Sequence, residues 1–194
     1  MSRVRMSGTA GFYALLVWFA AVNGLRPLVT LLCAALVHEC GHWAALRRYG
    51  ARIVAVRFGI CGAVLESDCG RLSYGQEALC VLAGPGANLL AAALCAAAGN
   101  PWPAFTGANL ILCAFNLAPV RPLDGGHALE LLMSWAAGPE AGEYAARWVS
   151  AAGALAMASG LAYVMRGSGG SLWLLPAMAG LLVTAFRESV GQAG

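Results

Sequence analysis

Long runs without a charged side chain decide what this sequence can fold into. Residues 6–25, 78–120, 148–165 and 167–186 carry no charge, and residues 27–46 carry only Glu39. About 20 such residues are enough to cross a bilayer as a helix. Across all 194 residues, 60% are hydrophobic and 11% charged, with a mean hydropathy of +0.70. A soluble domain needs far less apolar surface. The expectation is an all-α polytopic membrane protein with six transmembrane helices, forming one membrane-embedded domain over residues 1–194. Residues 78–120 supply two of the spans, joined by a turn at Gly99-Asn100-Pro101-Trp102-Pro103. The first run, preceded by Arg3 and Arg5, has the outline of a signal peptide. Ala20-Ala21-Val22-Asn23-Gly24 is a poor cleavage site, so the run is kept as the first helix.

All twelve basic residues are arginine, and they are dispersed, which leaves no nucleic-acid patch. They also set an orientation. With the N-terminus in the cytoplasm, Arg3, Arg5, Arg47, Arg48, Arg52, Arg57, Arg71, Arg121, Arg147 and Arg187 lie inside, and only Arg26 and Arg166 lie outside. That bias is a positive-inside signal, and it puts both termini in the cytoplasm of a multi-pass protein of a cell membrane, expected to be a bacterial cytoplasmic membrane. Two cytoplasmic segments break the helical pattern. Residues 51–73 read as a small β-hairpin at the membrane surface. Residues 124–147 read as an amphipathic helix and a Gly-Pro break, with Glu130, Glu140, Glu143 and Arg147 facing water. The seven cysteines are odd in number and contain no C-x-x-C pair, so they read as small buried hydrophobes.

Inside the run 27–46 sits His38-Glu39-Cys40-Gly41-His42. Ionisable groups are costly in hydrocarbon and rarely stand there without a task. On a helix His38 and His42 are about 40° apart, and Glu39 falls within the same arc of about 100°. Two imidazoles can then hold one Zn²⁺ from one face, with Glu39 beside it to handle a proton. The competing reading is a hydrogen-bonded histidine pair in a bundle interior. Cys40 points away from His38 and is a poor ligand.

A catalytic zinc usually takes three protein ligands and a water. His38 lies eight residues, about 12 Å, below the cytoplasmic end of its helix, so the third ligand must approach from that side. Asp124 fits best. It follows Pro119 and Pro122, and Gly125-Gly126 allow a tight turn. The alternative for Asp124 is the N-cap of a helix beginning near Ala128. Glu66 and Asp68 are weaker candidates. His127 would close the open zinc position if it joined, so it reads as a second-shell partner or a solvated histidine. Asn88 lies at about the depth of His38 and has three open readings: orienting a ligand, holding the substrate backbone, or gluing helices. Asn116 could hydrogen-bond a substrate strand or satisfy backbone freed near Pro119.

Taken together these residues resemble the site-2 protease family, zinc metalloproteases that cut within membranes. The resemblance rests on His38-Glu39-x-x-His42, on Ala83-Gly84-Pro85 with Asn88, and on Asn116-x-x-Pro119 leading to Leu123-Asp124-Gly125-Gly126. It implies His38, His42 and Asp124 as zinc ligands, Glu39 as the catalytic carboxylate and Asn116 in substrate binding. It also implies a catalytic core of about 27–126. The six-span layout is similar to the sporulation-type branch, whose members often carry a C-terminal CBS domain. No CBS or PDZ-like module is expected within these residues.

The expected function is therefore an intramembrane zinc metalloendopeptidase acting on membrane-associated or single-span protein substrates. A different class, a proteolytically silent protein that binds and holds a client transmembrane helix, would leave the catalytic positions without a purpose. A metal transporter would need polar ligands spread across the bilayer, whereas these cluster toward one side.

Overall fold

The computed structural model describes residues 5–59, 62–68, 70, 72–167 and 174–190. Residues 5–8, 52–59 and 62–68 are described by backbone alone. The chain forms two compact units, Met1–Leu117 and Ala118–Gly194.

The first unit holds β1 (Arg5–Gly8), α1 (Ala10–Asn23), α2 (Leu25–Arg48), β2 (Arg52–Gly59), β3 (Gly62–Asp68), α3 (Tyr74–Ala97) and α4 (Pro103–Asn116). The first helix, expected over 6–25, starts later, at Ala10. Residues 5–8 are instead drawn into a strand parallel to β2, with Met6 opposite Val56. Thr9 marks the switch, its Oγ1 accepting from the Phe12 amide at 3.4 Å. The sheet order is β1-β2-β3. β2 and β3 pair antiparallel, from Arg52 opposite Asp68 to Gly59 opposite Gly62, with an irregularity between Ile53 and Ala55. Gly24, at φ 87°, forms the corner between α1 and α2. α3 opens on a reciprocal cap: the Gln76 amide donates to Ser73 Oγ and the Ser73 amide to Gln76 Oε1. The turn expected at 99–103 separates α3 from α4, with Gly99 and Asn100 at positive φ and Pro103 opening α4.

α2, α3 and α4 pack on one another. Gly41 sets the spacing between α2 and α3. A Cβ there would overlap the Ala83 carbonyl oxygen and stand 2.7 Å from Ala87 Cβ. Such small-residue contacts are how helices approach closely where apolar solvent gives no driving force.

The second unit holds α5 (Asp124–Ala137), α6 (Pro139–Gly167) and α7 (Leu175–Val190). The sequence suggests an amphipathic segment to 147 followed by a separate span. Instead α6 is one helix of 29 residues, because Gly138, at φ 89°, places the break earlier and Pro139 starts the next helix. α5 begins at Asp124, where the amphipathic segment is expected to open. Leu123 occupies the cap position without a side-chain bond, so the Asp124 carboxylate is not an N-cap.

Three described helices are long and apolar enough to cross a membrane: Leu25–Arg48, Tyr74–Ala97 and Pro139–Gly167. α1, α4 and α7, with 14, 14 and 16 residues, reach only about 21–24 Å at 1.5 Å per residue, short of a hydrocarbon core of about 30 Å. Large apolar side chains cover the outside, including Val17, Leu25, Val29, Ile111 and Tyr163. In water this would be an aggregation surface; in a bilayer it is the lipid-facing one. The protein is therefore a membrane protein. Cys80 and Cys113 are buried as expected, whereas Cys33 and Cys40 are exposed, on the apolar outside of α2. Cys61 and Cys69 lie outside the described side chains.

Candidate metal centre

His38 and His42 stand one helical turn apart on α2, with ring centroids 4.7 Å apart and ring planes 82° to each other. His38 is buried, and Glu39 and His42 are half-buried. Each ring has its Nδ1 against an acceptor: His38 Nδ1 lies 2.7 Å from Asn88 Oδ1, and His42 Nδ1 lies 2.9 Å from the Cys80 carbonyl oxygen. The direction of the first bond is fixed by its neighbours. Asn88 Nδ2 donates to the Ala34 carbonyl at 2.9 Å and to Asn109 Oδ1 at 2.8 Å. Asn109 Nδ2 in turn donates to the Phe105 carbonyl at 2.9 Å. The Asn88 oxygen must then face His38, so His38 carries its proton on Nδ1, and His42 does the same against Cys80.

Both Nε2 lone pairs are thereby released, and the two atoms lie 3.1 Å apart. Two unprotonated nitrogens at that distance repel unless a cation lies between them. Two histidine nitrogens on a tetrahedral zinc, each at 2.0–2.1 Å, stand about 3.3 Å apart. The donor set therefore fits zinc in atom type, protonation and spacing.

The backbone around the pair is shaped to hold it. A Cβ on Gly84 would overlap the His42 ring, at Nε2, Cε1 and Cδ2. The glycine of the Ala83-Gly84-Pro85 segment is thus the seat of the His42 imidazole as well as a packing position. Cys40 faces outward, as its place on the helix predicts. Asn116 closes α4 and donates to the Leu112 carbonyl at 3.0 Å. Asp124 and the exposed His127 belong to the first turn of α5 in the second unit. The side chains of Glu66 and Asp68 lie outside the described residues.

The model of peptidase family M50 matches residues 96–159. Rip3 of Mycobacterium tuberculosis, named as a zinc metalloprotease, is 32% identical over 187 residues, covering 87% of this chain. Stage IV sporulation protein FB of Bacillus subtilis is 31% identical over 130 residues, covering 60% of this chain. Over these stretches the chain is similar to peptidase family M50. The fold is also that of the solved site-2 protease from Methanocaldococcus jannaschii, with a TM-score of 0.69 at 18% identity, covering 97% of this chain and 93% of that one. The chain spans about half the length of the curated relatives it matches, 47% of Rip3 and 45% of the sporulation protein.

Sequence reasoning did not single out Asn109 or the Cys80 carbonyl. Asn109 had a signal: it is an amide in the middle of the charge-free run 78–120. The Cys80 carbonyl had none, because a backbone acceptor is invisible in a sequence.

Proposed function

We propose that this protein is a member of peptidase family M50, an intramembrane zinc metalloendopeptidase that hydrolyses peptide bonds of membrane-associated or single-span proteins within or near the bilayer. The observation that carries the reading is the pair of Nε2 atoms 3.1 Å apart, each released by an acceptor on its own Nδ1. His38, His42 and Asp124 each offer one ligand atom of a kind that zinc takes, and three protein ligands leave a position open.

When bound, zinc supplies Lewis acidity at the scissile carbonyl and makes an attacking water acidic near neutral pH. Glu39, between the two histidines on the same arc of α2, takes the water's proton and returns it to the leaving amine. Asn116, with an amide hydrogen committed to Leu112, presents its carbonyl oxygen to a backbone N–H of the substrate. The Asn88 oxygen and Nδ2 hydrogens are engaged by His38, Ala34 and Asn109, so its part is to orient His38. An intact helix hides its carbonyls, so the substrate must unwind before it is cut. The β2–β3 hairpin can receive the extended segment by strand addition. In this reading the chain crosses the membrane six times with both termini in the cytoplasm, the bilayer thinning locally around the shorter α1, α4 and α7.

The test is co-expression with candidate single-span substrates. Glu39→Gln should keep its zinc and lose cleavage by a factor of about 10²–10⁴, the contribution of a positioned base. Near-normal cleavage would sink the mechanism. Metal analysis of purified variants separates the third-ligand candidates: Asp124→Ala should lower zinc occupancy, whereas His127→Ala should leave most of it. The opposite pattern would remove Asp124 from the site.

A further inference from the structure

Asn109 lies on α4, fully buried, and is hydrogen-bonded to Asn88 Nδ2 and to the Phe105 carbonyl. Its side chain nevertheless ends a chain of fixed direction that runs from Phe105 through Asn109 and Asn88 to His38. The Phe105 carbonyl can only accept, which fixes the Asn109 nitrogen there and turns its oxygen toward Asn88. The Asn88 nitrogen is held by two acceptors, Asn109 Oδ1 and the Ala34 carbonyl. A flipped Asn88 would set its oxygen against both and offer His38 Nδ1 a donor instead of an acceptor. His38 would then carry its proton on Nε2, where a metal must bind.

We propose that Asn109 is a positioning residue for His38. Acting through Asn88, it holds the ring in the Nδ1–H tautomer that leaves Nε2 open to zinc. The proposal rests on the reading of His38 as a zinc ligand and extends the ligand's support from α2 to α4. The three links are neutral, so they work in an apolar interior where a carboxylate in the same place would have to be desolvated.

The effects should be graded by distance from the metal. Outer partners of metal-bound histidines contribute about 10–100-fold in affinity. Asn88→Leu should sit near 100-fold. Asn109→Leu should sit near tenfold, because the Ala34 carbonyl still holds one hydrogen of Asn88. Asn109→Asp should be close to wild type. Burial favours the neutral acid, whose O–H can donate to Phe105 and whose C=O can accept from Asn88.

The experiment is zinc titration of the full chain together with ¹⁵N spectra of its histidine rings, of which there are only three. Asn109→Leu should shift the His38 ring nitrogens away from the Nδ1–H pattern and leave His42, held by Cys80, as in wild type. Asn109→Ser, too short to reach Asn88, carries the same expectation should the leucine variant not fold. Wild-type affinity and ring spectra in these variants would overturn the proposal, as would equal changes at His38 and His42. If the wild-type protein takes up no zinc, the metallopeptidase reading fails. The metal-free ring spectra then still decide whether Asn109 sets the His38 tautomer.

Discussion

In the first unit, His38, Asn88 and Asn109 meet through uncharged hydrogen bonds of 2.7 and 2.8 Å, and both asparagines are fully buried. The second unit holds its polar groups by charge. Arg121, in the loop before α5, lies 3.0 Å from Glu130 on α5 and 3.9 Å from Glu188 on α7. Its backbone N–H donates to Ser150 Oγ on α6 at 2.9 Å. The difference follows from what each region must hold. An imidazole that is to bind a metal, as proposed for His38, needs a defined tautomer, which a directional neutral acceptor supplies without adding charge to an apolar bundle. A loop needs fixing against several helices at once, and a guanidinium reaches more than one partner. Gly126 and Gly153 complete that clamp: a Cβ on Gly126 would stand 2.5 Å from the Val120 carbonyl carbon, and one on Gly153 3.0 Å from Val120 Cγ2.

The largest effect should come from the seat of His42. Gly84→Ala places a methyl group in the ring, which must move to accommodate it, and zinc binding should fall by more than the 100-fold expected of an outer partner. Gly86→Ala, two residues on, meets nothing within 4 Å and should bind zinc as wild type does. Isothermal titration of both variants compares a glycine that holds a ligand with one that does not. Equal affinities would show that the ring is not seated on Gly84.

Next in size is the ionic clamp. Glu188 has only 8% of its side chain exposed, so Arg121→Met strands a buried carboxylate and should cost about 2–3 kcal/mol. This is below the usual cost of breaking a buried pair, because Arg121 and Glu130 are 19% and 34% exposed. Adding Glu188→Leu should restore part of that loss, since the stranded charge is then gone. Denaturant unfolding of the two single variants and the double variant measures the coupling. Strict additivity would mean that the pair does not hold the loop.

How much of this was legible depends on the distance over which each residue is decided. His38, Glu39 and His42 were readable because one helix places them, and a four-residue spacing is a local fact. Asn88 was readable by depth, but its partners were not, because the choice among ligand, substrate and helix depends on which side chains α2 and α4 bring to it. The start of α1 was misjudged because β1 is made by β2, some fifty residues on. The alternative of Asp124 as an N-cap fails because Leu123 takes the cap position with its backbone, which no polar residue announces. Gly84 stood out only as part of the Ala83-Gly84-Pro85 motif, and its contact with an imidazole depends on the rotation of α2 against α3. Arg121 served only as a marker of orientation, since Glu188 lies on the last helix of the second unit.

The smallest effect should come from Ser150, and it separates the two kinds of bond inside one clamp. Ser150 is 1% exposed, and its Oγ receives the Arg121 N–H. Ser150→Ala leaves that amide without its partner and removes no charge, so the loss should be about 1–2 kcal/mol. The salt dependence should differ as well. At about 1 M salt the screening length falls to about 3 Å, and partly exposed charges interact more weakly. The deficit of Arg121→Met should therefore shrink as salt is raised, while that of Ser150→Ala should stay constant, because a neutral hydrogen bond gives ions nothing to screen. Unfolding curves of both variants at low and high salt decide it. A Ser150→Ala deficit that also shrinks would mean that the hydroxyl acts by keeping the guanidinium in place, and that the loop of the second unit is held by charge alone.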